Sequence, residues 1–154
     1  MCSSDLVQHW EVKRGRVIVA TDKGRYTASR LVITAGAWAS KLIAALRKPK
    51  LAVPERQVLI WTQPKRPELF QMGAFPVFIL EGVERDLYYG MPVYGLPGFK
   101  LGKYHHRKQN VDPDRMDREC HPEDEAVLRS ALHRYFPEAN GPPDRKSTRL
   151  NSSR

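Results

Sequence analysis

The chain has 154 residues, 41% of them hydrophobic and 28% charged, enough for one domain with its own core and close to the globular average. No apolar run approaches the roughly 18 to 20 residues of a membrane span, Cys2 and Cys120 are too few for a disulfide framework, and the N-terminus lacks the features of a secretory signal. A soluble chain in a reducing, cytoplasmic setting is expected, and the formal net charge of +9 raises nucleic acid or an anionic surface as a partner.

Part of that charge sits at the ends. Residues 1–6, MCSSDL, and 144–154, DRKSTRLNSSR, resemble translations of the two orientations of a common sequencing-library adapter, and both are set apart from fold reasoning. The alternative is a polar start and an ordinary disordered basic tail. On the adapter reading, 7–143 is an internal fragment of a larger protein.

From Trp10 to Thr34 the pattern is strand and turn. Glu11 to Lys13 leads through Arg14-Gly15 into Arg16 to Thr21, and Asp22-Lys23-Gly24 turns the chain back into Arg25 to Ala28, so a small antiparallel meander is expected. Leu31 to Thr34 is a continuous apolar run, the pattern of a strand buried on both faces of a parallel sheet. It ends in Ala35-Gly36-Ala37, after which Trp38, Leu42, Ala45 and Leu46 recur at helical spacing. Such a turn lets a ligand approach the backbone closely at a helix N-terminus, or it serves tight strand-helix packing without a ligand.

Arg47 to Lys50 and Pro54 mark a linker, Gln57 to Trp61 reads as a strand, and Gln63 to Glu68 is a loop. Pro76 to Leu80 and Leu87 to Met91 are further strands around a turn at Glu81-Gly82. Phe99 to His105 alternates, with Phe99, Leu101 and Lys103 pointing one way and Lys100, Gly102 and Tyr104 the other. Asn110 to Asp117 is polar loop. Pro122-Glu-Asp-Glu125 opens a helix with acids complementing its dipole. Val127, Leu128, Ala131, Leu132, Tyr135 and Phe136 share one face, so this helix packs on the sheet, and Pro137 ends it. The class is α+β.

Three groups of residues carry candidate chemistry. His105, His106, Cys120 and His121 are of types that suit zinc, but adjacent strand residues point to opposite faces and no C-x-x-C or H-x-x-x-H pair is present, so no metal site is expected. The run Lys103 to Lys108, KYHHRK, reads either as a phosphate-tracking patch of a basic nucleic-acid-binding module or as a solvated strand end. Glu119, Glu123, Asp124 and Glu125 follow closely and offset its charge, which argues against nucleic acid. Within Asp86 to His106, Tyr89, Lys100 and the two histidines form a possible active-site lining. A lysine between Phe99 and Leu101 is a fixed positive charge near a reaction centre, or simply a surface-facing strand lysine.

The motifs TASRLVITAGAWASKL at 27–42, VPERQVL at 53–59, FPVFILE at 75–81, YYGMPVYGLPGFKLGKYHH at 88–106 and VDPDRMDRECHPEDEAVLR at 111–129 together resemble one family. It is the amine-oxidising flavoprotein family of monomeric sarcosine oxidase, N-methyltryptophan oxidase and pipecolate oxidase. The resemblance implies part of a Rossmann-like FAD-binding domain over 7–46, made of the meander and the strand-helix unit, joined to an antiparallel-sheet substrate domain with a packed helix over 47–143. It also implies a reaction: a secondary or tertiary amino acid loses a hydride equivalent to FAD, the imine is hydrolysed, and O2 is reduced to hydrogen peroxide.

By the same resemblance Ala35, Gly36, Ala37 and Trp38 lie against the flavin, Lys100 promotes the reaction with oxygen, and Tyr89 lines the substrate pocket. Met91, Val93 and Tyr94 are candidates for its wall. The family histidine follows the lysine by about four positions, where this chain has Tyr104; His105 is favoured, while strand alternation from Lys100 selects His106 unless a bulge intervenes. The 154 residues hold no G-x-G-x-x-G fingerprint, nor the cysteine that tethers the flavin in that family, which would follow the helix ending near Phe136. This polypeptide alone is therefore expected neither to bind FAD tightly nor to oxidise amines.

Overall fold

The structure, a computed structural model, describes residues 5–43, 52–95 and 98–153. The chain divides into two compact units, one running through Ala52 and the other spanning Val53 to Ser153. The sequence placed this boundary between residues 46 and 47.

The first unit is a three-stranded antiparallel meander of β1 (Val7–Lys13), β2 (Arg16–Thr21) and β3 (Arg25–Ala28). Arg14 and Gly15 both adopt positive φ, 51° and 73°, which matches the two-residue turn that a right-twisted hairpin favours, and Lys13 pairs with Arg16 across it. At the second turn the Thr21 hydroxyl accepts the amides of Lys23 and Gly24. A 3-10 turn, Gly36–Trp38, leads into the short helix α1 (Ala39–Ile43), and Trp10 Nε1 donates to the Leu42 carbonyl at 2.8 Å, tying α1 to β1. Ala45 and Leu46 of the anticipated helix lie outside the described residues.

The strand expected at Leu31–Thr34 does not form. Those residues have irregular backbone, and the Val32 side chain is 81% exposed. A strand buried on both faces needs hydrogen-bonded neighbours at both edges, and among the described residues the unit's one sheet is the meander.

The second unit is a five-stranded antiparallel sheet ordered β5-β6-β7-β4-β8. Its strands are β4 (Val53–Thr62), β5 (Phe78–Glu81), β6 (Leu87–Met91), β7 (Phe99–Lys103) and β8 (Pro143–Ser153). Most of β8 falls in the segment 144–154 set aside on sequence, and it pairs along the whole of β4 from Val53 to Thr62. Helix α2 (Pro122–Tyr135) covers one face of the sheet as expected. Leu128, Ala131 and Leu132 pack against Val58, Ile60, Tyr88, Phe99 and Leu101. Full burial of side chains such as Leu128 and Leu132 is worth about 1.5 to 3 kcal/mol each, so this face contributes substantially to the unit's stability.

An aromatic cluster seals the end of this core. Phe99 meets Phe70 edge-on at 5.0 Å and stacks on Phe78 at 5.8 Å, while Phe136 sits 4.9 Å from Phe78. Gly90 makes the packing possible, because a Cβ there would stand 2.3 Å from the Lys100 carbonyl oxygen and 2.6 Å from the Phe78 ring. Strand alternation then turns the intervening residues, Tyr89, Lys100 and Gly102, to the opposite face.

Candidate functional site

Register brings the candidate residues together. Met91 and Trp61 lie opposite Lys100 on either side of β7, and Tyr89 and Leu59 lie opposite Gly102. All share the face turned away from α2. At one end of this strip the Lys100 ammonium sits over the Trp61 ring, 5.4 Å from its centroid, with Met91 Sδ at 4.0 Å. In the middle the rings of Tyr89 and Tyr104 meet at 4.8 Å. Ile79, Leu87 and Met91, all on this face, are 67%, 40% and 38% exposed, so the strip is apolar and open on its β5–β6 side.

Glycine shapes the middle of the strip. A Cβ on Gly102 would stand 2.6 Å from both Leu59 Cδ2 and Tyr89 Cζ. Gly102→Ala therefore displaces the Tyr89 ring, and we expect a cost of about 1 to 3 kcal/mol from overpacking. Urea unfolding with near-ultraviolet circular dichroism checks it: lower stability with an altered aromatic signal is the expected pair of results.

The histidines part company. β7 ends at Lys103, the chain enters a turn, and His105 takes φ 51°, so simple alternation no longer applies. His105 Nδ1 lies 2.7 Å from Glu55 Oε2, and Glu55, Gln57, Leu59 and Trp61 alternate along β4 on the Lys100 face. His106, which alternation from Lys100 had selected, is buried on the α2 side. Its Nε2 stands 3.5 Å from Asp124 Oδ1, and neither ring nitrogen has a hydrogen-bond partner. The structure thus groups Lys100, Tyr89 and His105 on one face and leaves His106 on the other. Of the suggested wall residues, Met91 joins the strip, Val93 packs against the core and Tyr94 is 65% exposed.

Behind the turn lies a buried ionic cluster. Asp124 accepts a bidentate pair from Arg56, at 2.9 and 2.7 Å, and the His121 backbone amide at 3.0 Å, with Arg107 at 3.4 Å. Burial alone would raise the Asp124 pKa, but the hydrogen bonds from Arg56 and the His121 amide outweigh it and hold the carboxyl far below its ordinary 3.8. For His106 burial dominates over the attraction of Asp124, and its pKa falls below 6.5.

Both shifts have the same consequence for stability. Between the folded and unfolded values the unfolded chain binds more protons, so stability is full above the unfolded value and is lost as pH falls. We expect a first decline as pH drops through about 6.5, from His106, and a second below about 4, from Asp124. Unfolding midpoints measured from about pH 8 to about pH 3 should show both, and His106→Phe should remove the first.

The other sequence candidates fall out as follows. Lys103 pairs with Asp86 at 2.7 Å and Arg107 faces Asp124 at 3.4 Å, so two of the three fixed charges of the KYHHRK run meet acids from neighbouring segments. Among the described residues no cluster of three or more His, Cys, Asp and Glu gathers for a metal, and no helix is long and apolar enough to cross a membrane. In the first unit Gly36 adopts φ 52° with open space where a Cβ would point, so the Ala35–Trp38 turn presents its backbone for close approach. Beside it a hollow of about 240 Å³ is lined by Trp10, Val19, Leu31, Ile33, Ala35 and Leu42. Glu55, Arg56, Gln57 and Trp61 carry no site role in the sequence reading, and Asp124 only those of a helix-start acid and a counter-charge to the KYHHRK run, because their partners depend on which strand and helix lie opposite.

Comparison with known proteins covers nearly all of the chain. The family model described as FAD dependent oxidoreductase, DAO, matches residues 4–149. Monomeric sarcosine oxidase of Bacillus sp. (strain NS-129) is 42% identical over 137 residues, which are 88% of this chain and 35% of that protein. N-methyl-L-tryptophan oxidase of Yersinia pestis (strain Pestoides F) is 35% identical over 95 residues, 62% of this chain and 24% of that protein. The chain thus spans about a third of the length of the sarcosine oxidases it matches. Among solved structures, a mutant of NikD, described as an unusual amino acid oxidase essential for nikkomycin biosynthesis, superposes with a TM-score of 0.67 at 18% identity, over 95% of this chain and 38% of that one. L-proline dehydrogenase from P. horikoshii gives 0.67 at 16% identity, over 97% and 38%. At those identities the likeness is one of fold.

Proposed function

Because the chain belongs to the family of FAD dependent oxidoreductases, we propose that it forms part of an oxidase that converts an N-methyl or cyclic secondary amino acid to an imine, with O2 reduced to hydrogen peroxide. The observation that carries this reading is the strip on the open sheet face: Lys100 against Trp61 at one end, the Tyr89–Tyr104 pair in the middle and His105 with Glu55 at the other. A flat apolar floor suits a small amine, and groups able to donate or accept hydrogen bonds at its ends fix orientation.

The residues fit FAD in chemistry. Within the first unit, the Ala35–Trp38 turn offers small residues and accessible backbone to hold part of the cofactor. When bound, FAD supplies an acceptor for the hydride equivalent lost by the amine. Three parts of that chemistry fall to residues of this chain. Tyr89 and Tyr104 exclude water from the floor. Lys100 stabilises the negative charge that appears when dioxygen takes its first electron, a role for preorganised charge on a largely apolar surface. His105 orients the substrate from the far end.

In its full-length protein this segment should bind FAD and release peroxide with sarcosine or a cyclic secondary amino acid. The isolated chain, which holds no G-x-G-x-x-G run, should neither bind FAD tightly nor turn over amine. A flavin absorbance spectrum and a peroxide assay on both forms test this. A colourless full-length protein, or one retained on heparin with salt-sensitive nucleic-acid binding and no amine activity, would overturn the reading.

A further inference from the structure

We propose that Glu55 is the positioning residue for His105, fixing the ring so that Nε2 serves as the hydrogen-bond acceptor for the substrate's amine N–H. The proposal rests on the reading of the strip as the substrate side. It starts from an acid in an uncommon place. Glu55 is 9% exposed on a central strand, and a carboxylate buried to that degree needs hydrogen-bond donors. Among the described residues it has two: the His105 ring through Nδ1 at 2.7 Å, and Gln57 Nε2 at 3.2 Å. Gln57, itself 4% exposed, accepts the His106 backbone amide through Oε1 at 3.3 Å. Two neighbouring side chains of one face of β4 therefore grip the turn after β7 at consecutive residues, one by its ring and one by its backbone.

The chemistry of the ring follows from that grip. A carboxylate accepts only, so Nδ1 must carry the proton, and in neutral imidazole the lone pair is then on Nε2. Nε2 is at the far edge of the ring from Glu55, and the His105 side chain is 48% exposed, so this edge is open to a ligand. A free histidine side chain in water prefers the opposite tautomer, with the proton on Nε2. Glu55 thus selects which atom faces the substrate and what it can do there, the division of labour seen wherever a carboxylate orients a histidine. Gln57 serves the same end by setting the backbone from which His105 departs at positive φ.

The test reads the tautomer directly, by nitrogen-15 shifts of labelled histidine in the full-length flavoprotein, alongside steady-state kinetics with a secondary amine. The wild type should show His105 protonated on Nδ1. Glu55→Leu should move the proton to Nε2 and raise KM for the amine about tenfold, more than kcat falls, as expected for loss of one hydrogen bond. Glu55→Gln, whose carbonyl still accepts from Nδ1, should keep the Nδ1–H tautomer and recover most of the KM. If Glu55→Leu fails to fold, the wild-type tautomer and Glu55→Gln decide. An Nε2–H tautomer in the wild type, a tautomer indifferent to Glu55→Leu, or a shifted tautomer with unchanged KM would each overturn the proposal. If the tautomers behave as stated but no variant, wild type included, turns over any secondary amine, the amine-acceptor assignment falls together with the oxidase reading, while Glu55's grip on His105 stands.

Discussion

Replacing Lys100 with methionine in the full-length flavoprotein should slow the reaction with oxygen about 10²- to 10³-fold, the usual cost of removing one preorganised electrostatic group from an active site. The size follows from where the ammonium is held. It lies over the Trp61 ring at 5.4 Å beside Met91 Sδ, so the face of a buried ring attracts the cation and fixes its place on the strip. Methionine keeps most of the volume and the apolar contacts and removes the ammonium. Reduction by the amine, which develops no anion on dioxygen, should change far less. Trp61→Leu should give a smaller loss in the same step, because it frees the lysine without discharging it. Stopped-flow measurement of the two half-reactions separates these outcomes, and an equal loss in both would contradict the assignment.

Arg56→Ala or Asp124→Ala should each cost about 3 to 5 kcal/mol, since either leaves a buried charge without its partner. The Arg56 and Asp124 side chains are 4% and 0% exposed. Besides the bidentate pair, Arg56 donates from Nε to the Asp117 carbonyl at 3.0 Å and from Nη2 to the Glu119 carbonyl. One guanidinium therefore fastens the loop before α2, the first turn of α2 and strand β4. Replacing both partners with apolar residues of similar volume, Arg56→Met with Asp124→Leu, should cost less than either alanine change alone, because no uncompensated charge remains. Urea unfolding of the wild type, the two alanine variants and the apolar double variant gives all four stabilities. Single losses near those of exposed ion pairs, below about 1 kcal/mol, would contradict the account.

The meander, the β7 alternation and α2 were legible because each is written in local pattern. The turns at Arg14-Gly15 and Asp22–Gly24 announce themselves through residue type, and Leu128, Ala131 and Leu132 through helical spacing. Leu31–Thr34 misled for a physical reason: an apolar run states a preference for burial on both faces, but neighbours at both edges must satisfy it. The candidate site was legible only in part. Lys100 and Tyr89 stood out by type, whereas Trp61, Glu55 and Asp124 gain meaning from strand register and from the helix across the sheet. His105 and His106 show the same limit at the scale of one residue. Their separation onto opposite faces depends on where β7 stops and the turn begins, which alternation by itself does not reveal.

The most direct test of the whole account is anaerobic mixing of the full-length flavoprotein with sarcosine and with a cyclic secondary amino acid, followed by admission of air. The account predicts that at least one of these amines bleaches the visible flavin band, and that air restores it with one hydrogen peroxide formed per amine oxidised. A flavin band that no secondary amino acid bleaches, or one restored by air without peroxide, would contradict it.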